Sequence, residues 1–145
     1  MKKKDISNYI LKCKSCNLIS SCNGPVVGRG NINSKILFVG EAPGAEEDRQ
    51  GLPFVGRSGK LLDKTLGDCG YNDCDIYITN IVKCRPPKNR NPRTEEIKAC
   101  LPHLKNQIFA IKPKIIVTLG NFSSVCLLSE PHNKKTISNL RGKTY

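Results

Sequence analysis

The chain has 145 residues, enough for one domain with a genuine core, and 24 basic against 12 acidic side chains leave a formal charge of +12. No apolar stretch approaches the ~20 residues that span a bilayer. Asp5, Ser7 and Asn8 break up the N-terminal run "MKKKDISNYILK" where a signal peptide needs an apolar core. The sequence therefore predicts neither a membrane span nor a signal peptide, and a cytoplasmic address is expected. The basic excess fits a polyanionic partner, and equally a basic surface with no ligand.

In chain order, residues 6–12 predict a short helix leading into "CKSC" (13–16). "KILFVG" (35–40) is a short apolar run ending at glycine, the pattern of a buried parallel strand. The segment after it, "GEAPGAEEDRQGLPFVGRSGKLL" (40–62), mixes glycines, prolines and an acidic cluster. Simple connections are usually ~4–6 residues, so a stretch of this length and chemistry points to function. Within it, "RSGKLLDKTLGDCG" (57–70) predicts a helix with Leu61, Leu62 and Leu66 on one face and Gly70 as its stop. "DIYITNIVKC" (75–84) predicts a second strand, and "RPPKNRNPR" (85–93), with three prolines, neither helix nor strand. "TEEIKACLPHLKNQIFAIKP" (94–113) predicts a helix capped by Thr94, broken or kinked near Pro102. "KIIVTLG" (114–120) predicts a third strand, "NFSSVCLLS" (121–129) the start of another helix, and the remainder a polar loop.

Strands alternating with helices predict an α/β fold with a parallel sheet. No internal repeat or low-complexity linker divides the chain, so residues 1–145 are expected to form one domain, with the segment 1–34 packed on it. Ligands in such sheets bind beyond the carboxyl ends of the strands. That places the Gly40 loop, Asn80 with the stretch to Arg93, and Gly120 onward at the expected site.

Eight cysteines are unusual for a reducing compartment, and metal ligation is their leading explanation. Cys13 and Cys16 form a Cys-x2-Cys pair, followed after a long gap by Cys84 and Cys100. Four thiolates suit a tetrahedral zinc or an iron–sulfur cluster. Buried free thiols with an accidental Cys-x2-Cys are the plainer alternative. Cys22, Cys69, Cys74 and Cys126 are left over as structural residues.

The "GRSGK" sequence lacks the glycine spacing of a Walker motif and has Leu61 at its Ser/Thr position, and the dinucleotide fingerprint is absent. A flat, uncharged heterocycle fits better. Phe54 offers a stacking face, Asn80 a donor and an acceptor, and the Gly-Glu-Ala-Pro-Gly turn backbone N–H groups for a carbonyl oxygen. A base flipped from DNA is recognised by these means. Phe54 as a core residue and Asn80 as a turn former remain alternatives, as does a merely solvated basic loop at 85–93.

Together, "GEAPG", "FVGRSGKLL", "YITNIVKCRPPKNRNP" and "PKIIVTLG" resemble family 4 uracil-DNA glycosylase, the iron–sulfur group of that superfamily, over nearly the whole chain. The resemblance implies a three-layer α/β/α domain acting as a monomer on DNA that contains uracil, hydrolysing the N-glycosidic bond to start base excision repair. It implies that Cys13, Cys16, Cys84 and Cys100 hold a structural [4Fe–4S] cluster, with 1–34 as the cluster-binding segment. Gly40, Glu41 and Ala42 would line the uracil pocket, Phe54 would stack on the base, and Asn80 would pair with its edge. Asn89 and Arg90 would lie on the DNA side. Relatives in another family carry an Asp at the place of Ala42 to orient water, which leaves Glu41 as the nearest carboxylate for that role beside Asn80. The family continues past "LRGKxY" into a further strand and a His-Pro motif. This sequence stops at Tyr145, and His103 and His132 stand elsewhere in the order, so a C-terminally incomplete, impaired form is expected. A non-catalytic iron–sulfur nucleic-acid-binding protein and a redox protein are the other readings.

Overall fold

The computed structural model describes residues 3–128 and 135–145. Four strands form one sheet: β1 (Arg29–Gly30), β2 (Ile36–Gly40), β3 (Ile76–Asn80) and β4 (Ile115–Thr118), in the order β1-β3-β2-β4. β2 pairs in parallel with β3 on one side and β4 on the other, and the two-residue β1 lies antiparallel on the edge of β3. Among the described residues, six α-helices accompany the sheet: α1 (Lys3–Leu11), α2 (Ala45–Gln50), α3 (Arg57–Asp68), α4 (Thr94–Ile111), α5 (Asn121–Leu127) and α6 (Ile137–Leu140).

Side chains of a strand alternate between faces, and the apolar residues divide accordingly. Leu37, Val39 and Tyr77 pack on one face with Leu104 and Ile111 of α4 and with Leu18 of the N-terminal segment. Phe38, Ile76 and Ile78 pack on the other with Leu66 of α3. The result is a mixed α/β protein with a layer of helix on each side of a mainly parallel sheet. Ile6 and Ile10, one turn apart on α1, are both buried, and α1 packs along α4. Among the described residues no helix is long and apolar enough to cross a membrane.

Several elements differ in detail from the sequence expectation. β3 ends at Asn80, not Cys84. Ile81 and Val82 are nonetheless buried, and their N–H groups donate to the Gly40 and Glu41 carbonyls at 2.9 and 3.0 Å. β-branched residues there answer to burial, not to strand length. α4 runs unbroken for 18 residues with Pro102 inside. Pro102 lies on the exposed face, so the backbone bond it forgoes falls where solvent can take the freed carbonyl. Thr94 is the first helical residue, and the cap is instead the Arg93 N–H donating to Glu96 Oε2 at 2.8 Å. Leu61 is 66% exposed; α3 turns inward along Gly59 and Leu66, which are buried, with Leu62 half-buried between them. The C-terminal stretch expected as loop contains α6, whereas His132 lies outside the described residues.

Candidate active site

The parallel register of β2 and β3 sets Gly40 directly beside Asn80 at the carboxyl ends of both strands. Beyond them opens a cleft of about 400 Å³ lined by Glu41, Ala42, Glu47, Phe54, Ser58, Asn80 and Leu119. Asn80 is 2% exposed, and its Oδ1 is buried without a hydrogen-bond partner. A buried acceptor left open in this way costs stability unless something else supplies the donor. A Cβ on Gly40 would stand 2.5 Å from Asn80 Oδ1 and 2.5 Å from Phe54 Cζ. Only glycine lets the amide and the ring converge on one space.

Phe54 has φ 54°, a left-handed conformation that an aromatic residue adopts only when its surroundings impose it. Three neighbours do so. The Glu47 carboxylate accepts from the N–H groups of Gly44 (3.1 Å), Val55 (3.0 Å) and Gly56 (2.8 Å), tying both ends of the α2 loop to one side chain. Arg29 donates from Nε to the Pro53 carbonyl at 3.0 Å and from Nη2 to the Phe54 carbonyl at 3.4 Å, while pairing with Asp63 and Asp73. Gly59 lies so close to the Phe54 carbonyl that any Cβ there would collide with it. The ring is half-buried: it packs against the cluster of Phe38, Leu66, Ile76 and Ile78 and also faces the cleft.

Glu41 is the cleft carboxylate with unspent oxygens, and burial pushes its carboxyl above the ordinary range. Behind Asn80 sits Lys83, 1% exposed, whose ammonium burial pushes down to about 7.

A separate, apolar cavity is lined by Cys13, Cys16, Cys84 and Cys100, with Ser15, Pro25, Val82, Lys83, Ala99 and His103 completing its wall. The turn after α1 contributes the first pair of thiols, the turn after β3 contributes Cys84, and α4 contributes Cys100. N–H groups point at the sulfurs: Lys83 N–H donates to Cys100 Sγ at 3.2 Å and Ser15 N–H to Cys13 Sγ at 3.4 Å. His103 Nε2 lies 3.0 Å from Cys13 Sγ. Burial pushes the Cys84 and Cys100 thiols up, Cys84 also through the neighbouring Cys22. Cys69 and Cys74 are exposed, and Cys126 is half-buried. Among the described residues no three His, Cys, Asp or Glu side chains close around a single-ion position.

In the basic loop, Lys88 and Asn89 both have positive φ, and Arg85 Nε donates to Asn89 Oδ1 at 2.7 Å. Arg90 is engaged by a fork to Glu96, with Nη1–Oε2 at 2.9 Å and Nη2–Oε1 at 2.6 Å. Lys88, Asn89, Asn91 and Arg93 are the exposed polar side chains of this loop.

The structure thus brings Glu41, Ala42, Phe54 and Asn80 to the lining of one cleft, with Gly40 paired beside Asn80, and the four predicted cysteines to one cavity. Sequence reasoning missed Glu47, Arg29, Gly59, Ser58, Leu119 and Lys83. Glu47 alone left a local signal, as the third residue after a glycine N-cap.

A family model described as Uracil DNA glycosylase superfamily matches residues 27–144. The chain is 45% identical over 142 residues to a type-4 uracil-DNA glycosylase of Saccharolobus solfataricus, covering 97% of this chain and 66% of the relative. It is 44% identical to one of Archaeoglobus fulgidus (97% of this chain, 71% of the relative). It is 50% identical over 115 residues to one of Thermotoga maritima (79% and 60%). The chain spans between 60% and 71% of the length of these three relatives. The family match covers most of the chain, and the relatives agree with it: the chain belongs to the uracil DNA glycosylase superfamily, in its type-4 group.

Proposed function

We propose that this chain takes a uracil flipped out of DNA into the cleft between Phe54 and Asn80 and hydrolyses its N-glycosidic bond. The observation that carries the reading is the buried, unpartnered Oδ1 of Asn80 at the floor of the cleft. Uracil presents an N3–H donor beside an O4 acceptor. Asn80 answers both, Oδ1 accepting from N3–H and Nδ2 donating to O4. Phe54 supplies the stacking face, and its imposed backbone conformation supports a ring held ready before the base arrives.

Hydrolysis breaks the N1–C1′ bond, with its electron pair leaving on uracil while a water oxygen bonds to C1′. The departing base carries negative charge on its oxygens, which the Asn80 Nδ2–H at O4 stabilises. Glu41 is the residue suited to place the water and take its proton. Glu47 is not, because both its oxygens are committed to backbone N–H groups. Desolvation makes Glu41 a better proton acceptor than an ordinary carboxylate, provided that it is ionised.

The second cavity supports a [4Fe–4S] cluster held by Cys13, Cys16, Cys84 and Cys100, since its donor set is four thiols in an apolar wall with N–H groups aimed at the sulfurs. Such a cluster would supply a structural tie between the N-terminal segment and the turn after β3. The exposed Lys88, Asn89 and Arg93 suit the DNA backbone, with Arg90 bracing the loop through Glu96.

The test is incubation with a single-stranded oligonucleotide carrying one uracil, followed by hot alkali to break abasic sites. Strand scission at the uracil position is expected, with none on the cytosine strand. No scission, together with equal binding of the two strands, would overturn the reading.

A further inference from the structure

Lys83 is among the largest fully buried side chains, and nothing in the chemistry proposed above uses it. Its Nζ donates to the main-chain carbonyl of Asn80 at 2.6 Å, to Gln107 Oε1 at 2.6 Å and to Thr79 Oγ1 at 2.7 Å. Three acceptors match the three N–H bonds of an ammonium. Two of them are themselves fixed on a single point. Thr79 Oγ1 donates to the Val27 carbonyl at 2.7 Å, and Gln107 Nε2 donates to the same oxygen at 2.9 Å. The Lys83 N–H meanwhile donates to Cys100 Sγ.

All three partners of Nζ are neutral, and burying an ammonium among neutral groups is expensive compared with leaving it in water. The turn at residues 80–83 could be closed without it, since the Ile81 and Val82 N–H groups already pair with Gly40 and Glu41. The extra anchor acts on one residue in particular. Asn80 has an amide oxygen with no partner to orient it, so the placement of that amide depends on its main chain.

We infer that Lys83 is a positioning residue for base selection: by gripping the Asn80 carbonyl from below, it aims the Asn80 amide at the N3–H and O4 edge of uracil. The inference rests on the uracil reading of the cleft. An amide displaced by a fraction of an ångström loses the paired hydrogen bonds that separate uracil from cytosine, while stacking on Phe54 and contacts to phosphate survive. Lys83 therefore governs preference between bases more than affinity for DNA.

The experiment is a double-mutant cycle on the full chain. Binding to matched single strands carrying one uracil or one cytosine is measured on ice for the parent, Lys83→Met, Asn80→Ala and the double variant. Absorbance near ~400 nm and bound iron are followed alongside to report the thiolate shell. Lys83→Met is expected to lower the uracil-over-cytosine ratio by about 10-fold with bound iron retained, and to change it less than about 2-fold once Asn80 is already Ala. Gln107→Leu, which removes one Nζ acceptor away from the cysteines, should move the ratio in the same direction by a smaller factor, and it decides the matter should Lys83→Met not fold. An unchanged ratio in Lys83→Met, or in Gln107→Leu if that is the variant available, overturns the inference while the uracil reading stands on Asn80→Ala. So does an equal fall with and without the Asn80 side chain, the mark of a general structural role. If Asn80→Ala keeps the parent's ratio, the uracil reading itself falls, and the Lys83 inference with it.

Discussion

Phe54 and Asn80 could be singled out from the sequence because their chemistry is visible in the side chain itself. One is a lone ring in a glycine-rich loop, the other an amide ending a β-branched run. The residues that hold them were hidden because their partners are distant in sequence. Arg29 reaches Asp73 across 44 positions, and Lys83 reaches Gln107 across 24. Lys83 also sits in a run where a charged residue reads as the end of a strand, whereas folding buries it. The double character of Phe54 makes the choice of substitution matter. Phe54→Leu keeps apolar packing against Phe38 and Ile78 but removes the planar face. It should weaken binding to uracil-containing DNA by ~1–3 kcal/mol and leave uracil-free DNA nearly unaffected, measured as paired dissociation constants. Equal losses on both strands would return Phe54 to a packing role.

At the level of elements, the helical period located α3 but misjudged its face by one residue. The inward stripe of Gly59, half-buried Leu62 and Leu66 has the spacing of a helix, but one of its members is a glycine, chosen for contact with the Phe54 carbonyl and not for hydrophobicity. The start of α4 gives the pH dependence. The Arg90 guanidinium, with the Arg93 N–H, holds the Glu96 carboxyl below its ordinary value of 4.5. A carboxyl with a depressed folded value adds stability that is complete above its unfolded value and lost as pH falls through the folded one. Glu96→Gln should therefore cost about 1 kcal/mol in urea unfolding at neutral pH, a modest figure because the Arg90 side of the pair is partly open to solvent. The difference from the parent should shrink as pH drops below 4.5. A gap that persists undiminished in acid would mean that the ion pair contributes nothing to the helix start.

For the whole molecule, the alternation of strands and helices was enough to foresee a mainly parallel sheet, and the cleft lies at the carboxyl edge where such sheets open. It could not foresee β1, which is two residues long and owes its place to pairing with β3, or the way the N-terminal segment closes over the face that α4 covers. Cysteine spacing suggested a shared site before any geometry, because thiols converge only when the intervening fold brings them together. Anaerobically prepared protein should be brown, with broad absorbance near ~400 nm and about four irons per chain. Cys100→Ser should lose that colour, and a colourless parent holding one zinc would contradict the cluster. The central claim, that Asn80 reads uracil, is tested most directly by Asn80→Asp. The carboxylate keeps an acceptor but has no N–H for O4, and the cytosine amino group can use what remains. The measurement is the ratio of dissociation constants for matched single strands carrying uracil or cytosine. The uracil preference is predicted to fall by at least ~10-fold; an Asn80→Asp protein that keeps the parent's ratio would contradict it.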